Sequence, residues 1–174
     1  VKIVKSCDRV FVLGGAATPS VLLNALFKRK NELKDVELVS ITTLGEDLFT
    51  AENIGNSFFV NSLFVSNNVR NVVNSEHGEY VPIFLSEIPI LFRNNVLPVD
   101  VALIHVSLPD KHGYCSLGTS VDIVRSAMQN AKYIIAQVNN QMPRTLGDGI
   151  VHLSQIDAFV EVDVALPVVD YSHK

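Results

Sequence analysis

Residues 100–122, DVALIHVSLPDKHGYCSLGTSVD, hold the densest set of side chains able to do chemistry: His105, Asp110, His112, Cys115, Ser116 and Ser120. Cys115 and His112 stand three residues apart in a loop, and no third residue is placed to orient the imidazole as a thiol mechanism requires. Ser116 and Ser120 have no base near them in sequence, and no G-x-S-x-G elbow occurs. Asp110, His112, Cys115 and His105 can be drawn as metal ligands, but their spacing matches no compact zinc pattern. A histidine inside an apolar strand, such as His105, reads as a core residue with one hydrogen bond. Glu76 next to His77 resembles an acid–base pair, yet neighbours on a helix do not face each other, so a surface helix end is the simpler reading. Glu87 falls in the first turn of a short helix, where the dipole stabilises a carboxylate, so it reads as a cap. Residue chemistry alone describes a domain that binds an anion or a carboxylate, without a recognisable catalyst.

These residues need elements to position them. Residues 99–106 form a nearly unbroken apolar run, the pattern of a strand buried on both faces. A polar loop with Pro109 and Gly113 follows, then a helix in which Val121, Val124, Ala127 and Met128 recur at helical spacing. Residues 9–13 (RVFVL) and 133–138 (YIIAQV) are further strands that end in polar loops. After the first comes Gly14-Gly15-Ala16-Ala17-Thr18-Pro19. Thr18 suits an N-cap and Pro19 a first helical position. The two glycines allow close backbone approach to a ligand, and the free N–H groups of the helix favour an anion. After the third strand comes a loop of about ten residues from Asn139 to Gly149, longer than usual. If the sheet is parallel, the three loops share one edge, where open α/β sheets bind ligands.

Other segments fill in the fold. Residues 36–41, 58–65, 80–85, 150–153 and 158–162 read as strands, with Pro82 putting its strand near an edge. Ser66 is placed to cap a helix over Val69, Val72 and Val73. Residues 45–57 read as irregular, with Asp47 and Glu52 solvated. Residues 1–8 look like the end of an amphipathic helix, and Lys28-Arg29-Lys30 like the last turn of another. The expected fold class is α/β, a mainly parallel open sheet with helices on both faces.

Composition sets limits. Apolar residues are 48% and charged residues 18%, which suits a single domain with a covered sheet. The net charge of −4 without a basic stripe argues against nucleic acid. No apolar run reaches the about 18 residues needed to span a membrane. Cys7 and Cys115 make no disulfide framework, and an intracellular protein is expected.

Taken together and in order, several segments resemble the N-terminal half of the acetyl-CoA hydrolase/transferase family, which includes acetate and 4-hydroxybutyrate CoA-transferases. They are residues 14–19 (GGAATP), 80–83 with 86–89 (YVPI, SEIP), 97–104 (LPVDVALI), 106–110 with 112–118 (VSLPD, HGYCSLG), and 137–139 with 142–144 and 147–148 (QVN, MPR, GD). The resemblance implies two similar α/β halves with the active site between them. It implies transfer of CoA from an acyl-CoA to a carboxylate through a glutamyl-CoA thioester, or hydrolysis when water intervenes. Coenzyme A is then a substrate, no cofactor is bound, and the partners are acyl-CoA, a short-chain carboxylate, the chain's own C-terminal half and further copies in a homo-oligomer. The compartment would be the cytoplasm or the mitochondrial matrix. The family's glutamate follows a His and a small hydroxyl residue in the second half, and no His-Ser-Glu or His-Thr-Glu occurs here. No catalytic residue carries over. The residues expected to wall the cleft are Gly14, Gly15, Thr18 and Pro19, then Ser107, Pro109, Gly113 and Ser116, then Asn139, Met142 and Pro143. A sugar-phosphate isomerase of related fold, using Lys111 and Arg144 for phosphate, and a non-catalytic acyl-CoA-binding domain are the alternatives.

Overall fold

The computed structural model describes residues 1–45 and 48–169. Asp47, expected to be solvated, and the end of the chain from residue 170 lie outside the described residues. Seven strands form one sheet in the order β4-β3-β2-β1-β5-β7-β9. They are β1 (Arg9–Val12), β2 (Val36–Ser40), β3 (Phe58–Ser62), β4 (Gly78–Tyr80), β5 (Val99–Ser107), β7 (Ala131–Asn139) and β9 (Ala158–Val162). Every pairing in it is parallel. The order runs outward from β1 in one direction and from β5 in the other, so the topological switch point lies between these two strands. The carboxyl ends of β1, β5 and β7 share one edge, as the apolar runs predict.

Alternation along the strands feeds two cores. On one face Val10, Val12, Leu38, Val60 and Leu103 pack against α1 (Ser20–Phe27), α2 (Ala51–Ile54) and α3 (Arg70–Val73). On the other, Phe11, Val39, Ala102, Ile104 and Ala136 pack against α4 (Ile88–Arg93) and α5 (Val124–Asn130). Adjacent residues of one strand thus serve opposite faces, the period-two rule of a covered sheet. Phe11 meets Phe92 of α4 edge-on at 5.7 Å, and Phe27 of α1 meets Phe58 at 5.3 Å.

Several local expectations are corrected. The strand over 80–85 is instead β4, one residue past a turn; it is the edge strand, and Pro82, lacking an N–H, follows its end. β3 stops at Ser62, whose hydroxyl turns back to the Phe64 carbonyl at 2.8 Å. Ser66 does not cap α3; its hydroxyl binds Asn68 Oδ1 at 2.6 Å, and the helix starts at Arg70. Glu76 and His77 lie beyond α3, so the helical geometry that separates neighbours does not apply, and they approach to 3.6 Å. Thr50 caps α2 inside the segment read as irregular, accepting the Asn53 amide at 3.1 Å. Residues 1–8 form turns rather than a helix, with the Lys5 amide bound to Asp8 Oδ2 at 2.7 Å. Arg29 lies past the end of α1 and donates to the Val1 and Val4 carbonyls at 2.7 and 3.0 Å, which ties the first residues to the domain. A two-stranded antiparallel sheet, β6 (Tyr114–Ser116) with β8 (Ile150–His152), rises from the polar loops after β5 and β7.

Candidate functional site

The loops after β5 and β7 are laced to each other, whereas the loop after β1 is tied to residues past β2 and, through α1, to β7. Gly15 donates its amide to Thr42 O, just past β2, at 2.7 Å. A Cβ on Gly14 would stand 2.1 Å from that same carbonyl oxygen, so no other residue fits. Gly15 has φ +60° and would place a Cβ 2.6 Å from Ser120 Oγ. The closeness that glycine allows here serves the Thr42 backbone and the Ser120 side chain.

The start of α1 is also engaged within the protein. Pro19, not Thr18, is the N-cap, and it is buried. Thr18 Oγ1 donates to the Gly15 carbonyl at 2.7 Å and accepts the Leu44 amide at 2.9 Å, which pins the loop rather than the helix. The Ser20 amide binds Thr18 O at 2.9 Å, and the Val21 amide binds Gln137 Oε1 at 3.0 Å. The expectation of free helical N–H groups is corrected to this extent: a buried glutamine from β7 occupies one of them.

Gln137 reaches α1 across β5. Its Nε2 lies 3.3 Å from Nε2 of His105, its register partner. With Oε1 accepting from Val21, the Gln137 amide nitrogen is the donor, so His105 Nε2 accepts and its Nδ1 carries the proton. Nδ1 is buried without a hydrogen-bond partner. Burial holds the His105 pKa down at about 4, although the Thr18 and Ala17 backbone opposes the shift. His105 is therefore the core histidine with one side-chain hydrogen bond that its apolar surroundings predict.

Serines join the second loop to the third. Ser107 Oγ accepts the Ser116 amide at 2.9 Å and donates to the Leu108 carbonyl at 3.0 Å. Ser116 Oγ accepts the amides of Gly118 and Thr145 at 3.1 and 3.0 Å. Thr145 Oγ1 donates to Gly118 O at 3.1 Å. Met142 fills the space over Gly118, where a Cβ would meet its sulfur at 2.2 Å. Asn139 holds the exit of β9, donating to Val164 O at 2.8 Å and accepting the Gln141 and Val164 amides at 3.1 and 3.2 Å.

At the tip, Arg144 donates to Tyr114 O and to Asp110 Oδ2, both at 2.9 Å. Asp110 also accepts the Tyr114 and His112 amides, and these bonds together with Arg144 hold its pKa below the usual value. Gly113 has φ +83° and faces the His152 ring, whose Nε2 lies 3.0 Å from His112 O. Cys115 is buried in β6, and burial raises its pKa, so it is no activated thiol. Among the described residues, no three His, Cys, Asp or Glu side chains gather as a metal site would require.

The structure thus brings all the predicted wall residues to one edge but divides them by role. Thr18, Ser107, Ser116, Asn139 and Met142 are buried and hold the loops together. Pro109 and Pro143 are exposed, and Gly15 and Gly113 are partly so. Sequence reasoning considered Ser120 only as a nucleophile and Gln137 only as part of a matching segment, and it did not single out Thr42. The signal for Gln137 was present: an amide within an apolar strand must find a partner.

Comparison with known proteins agrees with this architecture. The profile of the acetyl-CoA hydrolase/transferase N-terminal domain matches residues 1–170. A 4-hydroxybutyrate coenzyme A transferase of Clostridium kluyveri is 44% identical over 158 residues, which are 91% of this chain and 37% of that protein. A succinyl-CoA:acetate/propanoyl-CoA:succinate CoA transferase of Fasciola hepatica is 47% identical over 154 residues, 87% of this chain and 32% of that one. The chain therefore spans about a third of the length of these curated relatives. The crystal structure of RipA from Yersinia pestis superposes with a TM-score of 0.92 at 27% identity, covering 100% of this chain and 43% of that one. No helix among the described residues is long and apolar enough to cross a membrane. The chain belongs to the acetyl-CoA hydrolase/transferase family, whose N-terminal domain it matches along nearly its whole length.

Proposed function

We propose that this chain is the N-terminal half of an enzyme that moves CoA between an acyl-CoA, with acetyl-CoA as the first candidate, and a short-chain carboxylate. The reaction runs through a glutamyl-CoA thioester, and the glutamate belongs to a second half that packs against this edge. Coenzyme A and acyl-CoA are substrates, and the whole protein is a homo-oligomer of the cytoplasm or mitochondrial matrix. The observation that carries the reading is the common edge at the switch point, where the loops after β1, β5 and β7 lie together and the latter two are hydrogen-bonded to each other. Membership in a family whose relatives are named CoA transferases supports the reaction class.

The alternatives are less well supported. Phosphate binding by a sugar-phosphate isomerase would use Lys111 and Arg144, and Arg144 is engaged by Asp110 and Tyr114, which leaves Lys111 alone of the pair. A wall without a nucleophile does fit a binding domain, and the complete gene product separates the two. Asp110, one of the two aspartates in the three loops, is paired with Arg144. Residues 1–174, incubated with acetyl-CoA and short carboxylates, are expected to give no new acyl-CoA, whereas the complete gene product gives robust exchange. Absence of exchange by the complete protein favours the binding domain. A covalent CoA adduct on Asp110, Asp148 or a glutamate of this chain would move the nucleophile into it.

A further inference from the structure

The loops of the common edge hold several hydroxyl side chains, and most are committed within the protein. Thr18 Oγ1 donates to Gly15 O, Ser107 Oγ to Leu108 O and Thr145 Oγ1 to Gly118 O. Ser116 Oγ accepts two amides. Ser120 differs from these four. Its hydroxyl makes no hydrogen bond among the described residues, and the side chain is partly exposed.

The segment that carries Ser120 is nonetheless fixed. Two residues before it, the Gly118 amide binds Ser116 Oγ and the Gly118 carbonyl accepts Thr145 Oγ1, both at 3.1 Å. Two residues after it, Asp122 Oδ1 accepts the Ile123 amide at 2.5 Å on the approach to α5. Beside it lies Gly15, whose φ of +60° and missing side chain leave room for the hydroxyl: a Cβ there would stand 2.6 Å from Ser120 Oγ. A hydroxyl held in place against the glycine loop, yet unpartnered, is a preorganised donor. It has no base. Asp122, the nearest carboxylate in sequence, is bonded to Ile123 instead. Ser120 therefore keeps its proton, which suits a donor and not an activated nucleophile.

We propose that Ser120 Oγ donates a hydrogen bond to one oxygen of the acceptor carboxylate and holds that carboxylate for attack. The proposal rests on the CoA-transfer reading above. The other carboxylate oxygen attacks the carbonyl carbon of the glutamyl thioester. A C–O bond forms there, the C–S bond breaks, and CoA leaves as its thiolate. No proton changes hands in this exchange, so a hydroxyl without a base meets its needs. The bond is made to the free carboxylate before any charge moves, so it serves binding of the acceptor more than the rate at saturation.

The test compares Ser120→Ala with wild type in the complete gene product, with acetyl-CoA as donor and butyrate as acceptor. The substitution removes no bond within this chain, so the melting temperature should stay at the wild-type value. KM for butyrate should rise about tenfold, the worth of one hydrogen bond to a charged group, with kcat at saturating butyrate little changed. A KM that is unchanged, or that rises only together with a fall in melting temperature, overturns the proposal. Such a fall would show the hydroxyl bonded to the rest of the polypeptide. Absence of exchange by the wild type overturns the CoA-transfer reading itself. Calorimetric titration with butyrate then decides the contact alone: equal affinities of wild type and Ser120→Ala overturn it, and about tenfold weaker binding by the variant upholds it.

Discussion

Gln137 Oε1 accepts the Val21 amide at 3.0 Å, although the two residues are 116 apart in sequence. The bond crosses β5, the strand between them, and takes in His105 on the way. In parallel strands, register partners point to the same face, so His105 and Gln137 form a polar row beneath α1. This row fixes the first turn of α1 to the strand that carries the third loop. The candidate site is thereby one unit rather than three independent loops.

Removing the glutamine acceptor strands a helical N–H in the core. Gln137→Leu is expected to cost about 1–3 kcal/mol of stability, the penalty for an unsatisfied buried donor. Urea unfolding of the isolated chain measures it. A loss close to zero would mean that Val21 finds another acceptor.

Ser116 Oγ accepts two amides and is fully buried, so Ser116→Ala leaves both without their partner. The expected effect is local: the second and third loops separate before the sheet unfolds. Hydrogen exchange at the Gly118 and Thr145 amides should accelerate well beyond that at β5 and β7. Uniform acceleration across the sheet would contradict a local role.

Gly15 and Ser120 form a steric pair. Gly15→Ala should destabilise the protein, both through the positive φ and through the clash with Ser120 Oγ. Ser120→Gly in the same chain should recover the steric part only. A double-mutant cycle on melting temperature gives the coupling, expected to exceed about 0.5 kcal/mol. Additive effects would show that the backbone conformation alone demands the glycine. Gly15→Val should also lower turnover in the complete protein, and the cycle shows how much of that loss is structural.

His105 makes stability depend on pH. Its pKa is about 4 in the fold, against 6.5 for the free side chain. Between these values the unfolded chain binds a proton that the folded chain excludes. Stability is therefore full above pH 6.5 and falls as pH drops toward 4. From about pH 7.5 to about pH 4.5 the loss from this group is about 2–3 kcal/mol. His105→Phe should flatten that part of the profile in urea unfolding. An unchanged slope would assign the titration to other groups.

Apolar continuity made much of the fold legible before any coordinates. The runs at residues 99–106 and 133–138 admit one reading, strands covered on both faces, and parallel pairing then places their loops together. The edge position expected from Pro82 holds for β4, but the proline itself lies beyond that strand's end at Tyr80. Short elements were legible only in part: the strand read at residues 150–153 is β8, whereas β6 was not read. β6 is three residues long within a polar loop, too short for any periodicity, and it exists because β8 pairs with it. The caps were misassigned because other partners engage the capping side chains: Leu44, distant in sequence, for Thr18, and Asn68, two residues on, for Ser66.

Residue types alone determined which segments are buried and where the chain must turn, because hydrophobic burial and backbone sterics act locally. Only the tertiary structure decided that Gly15 answers to Ser120, that Ser116 ties two loops and that Gln137 caps α1. Those contacts depend on strand register and order, which bring together residues that no local pattern relates.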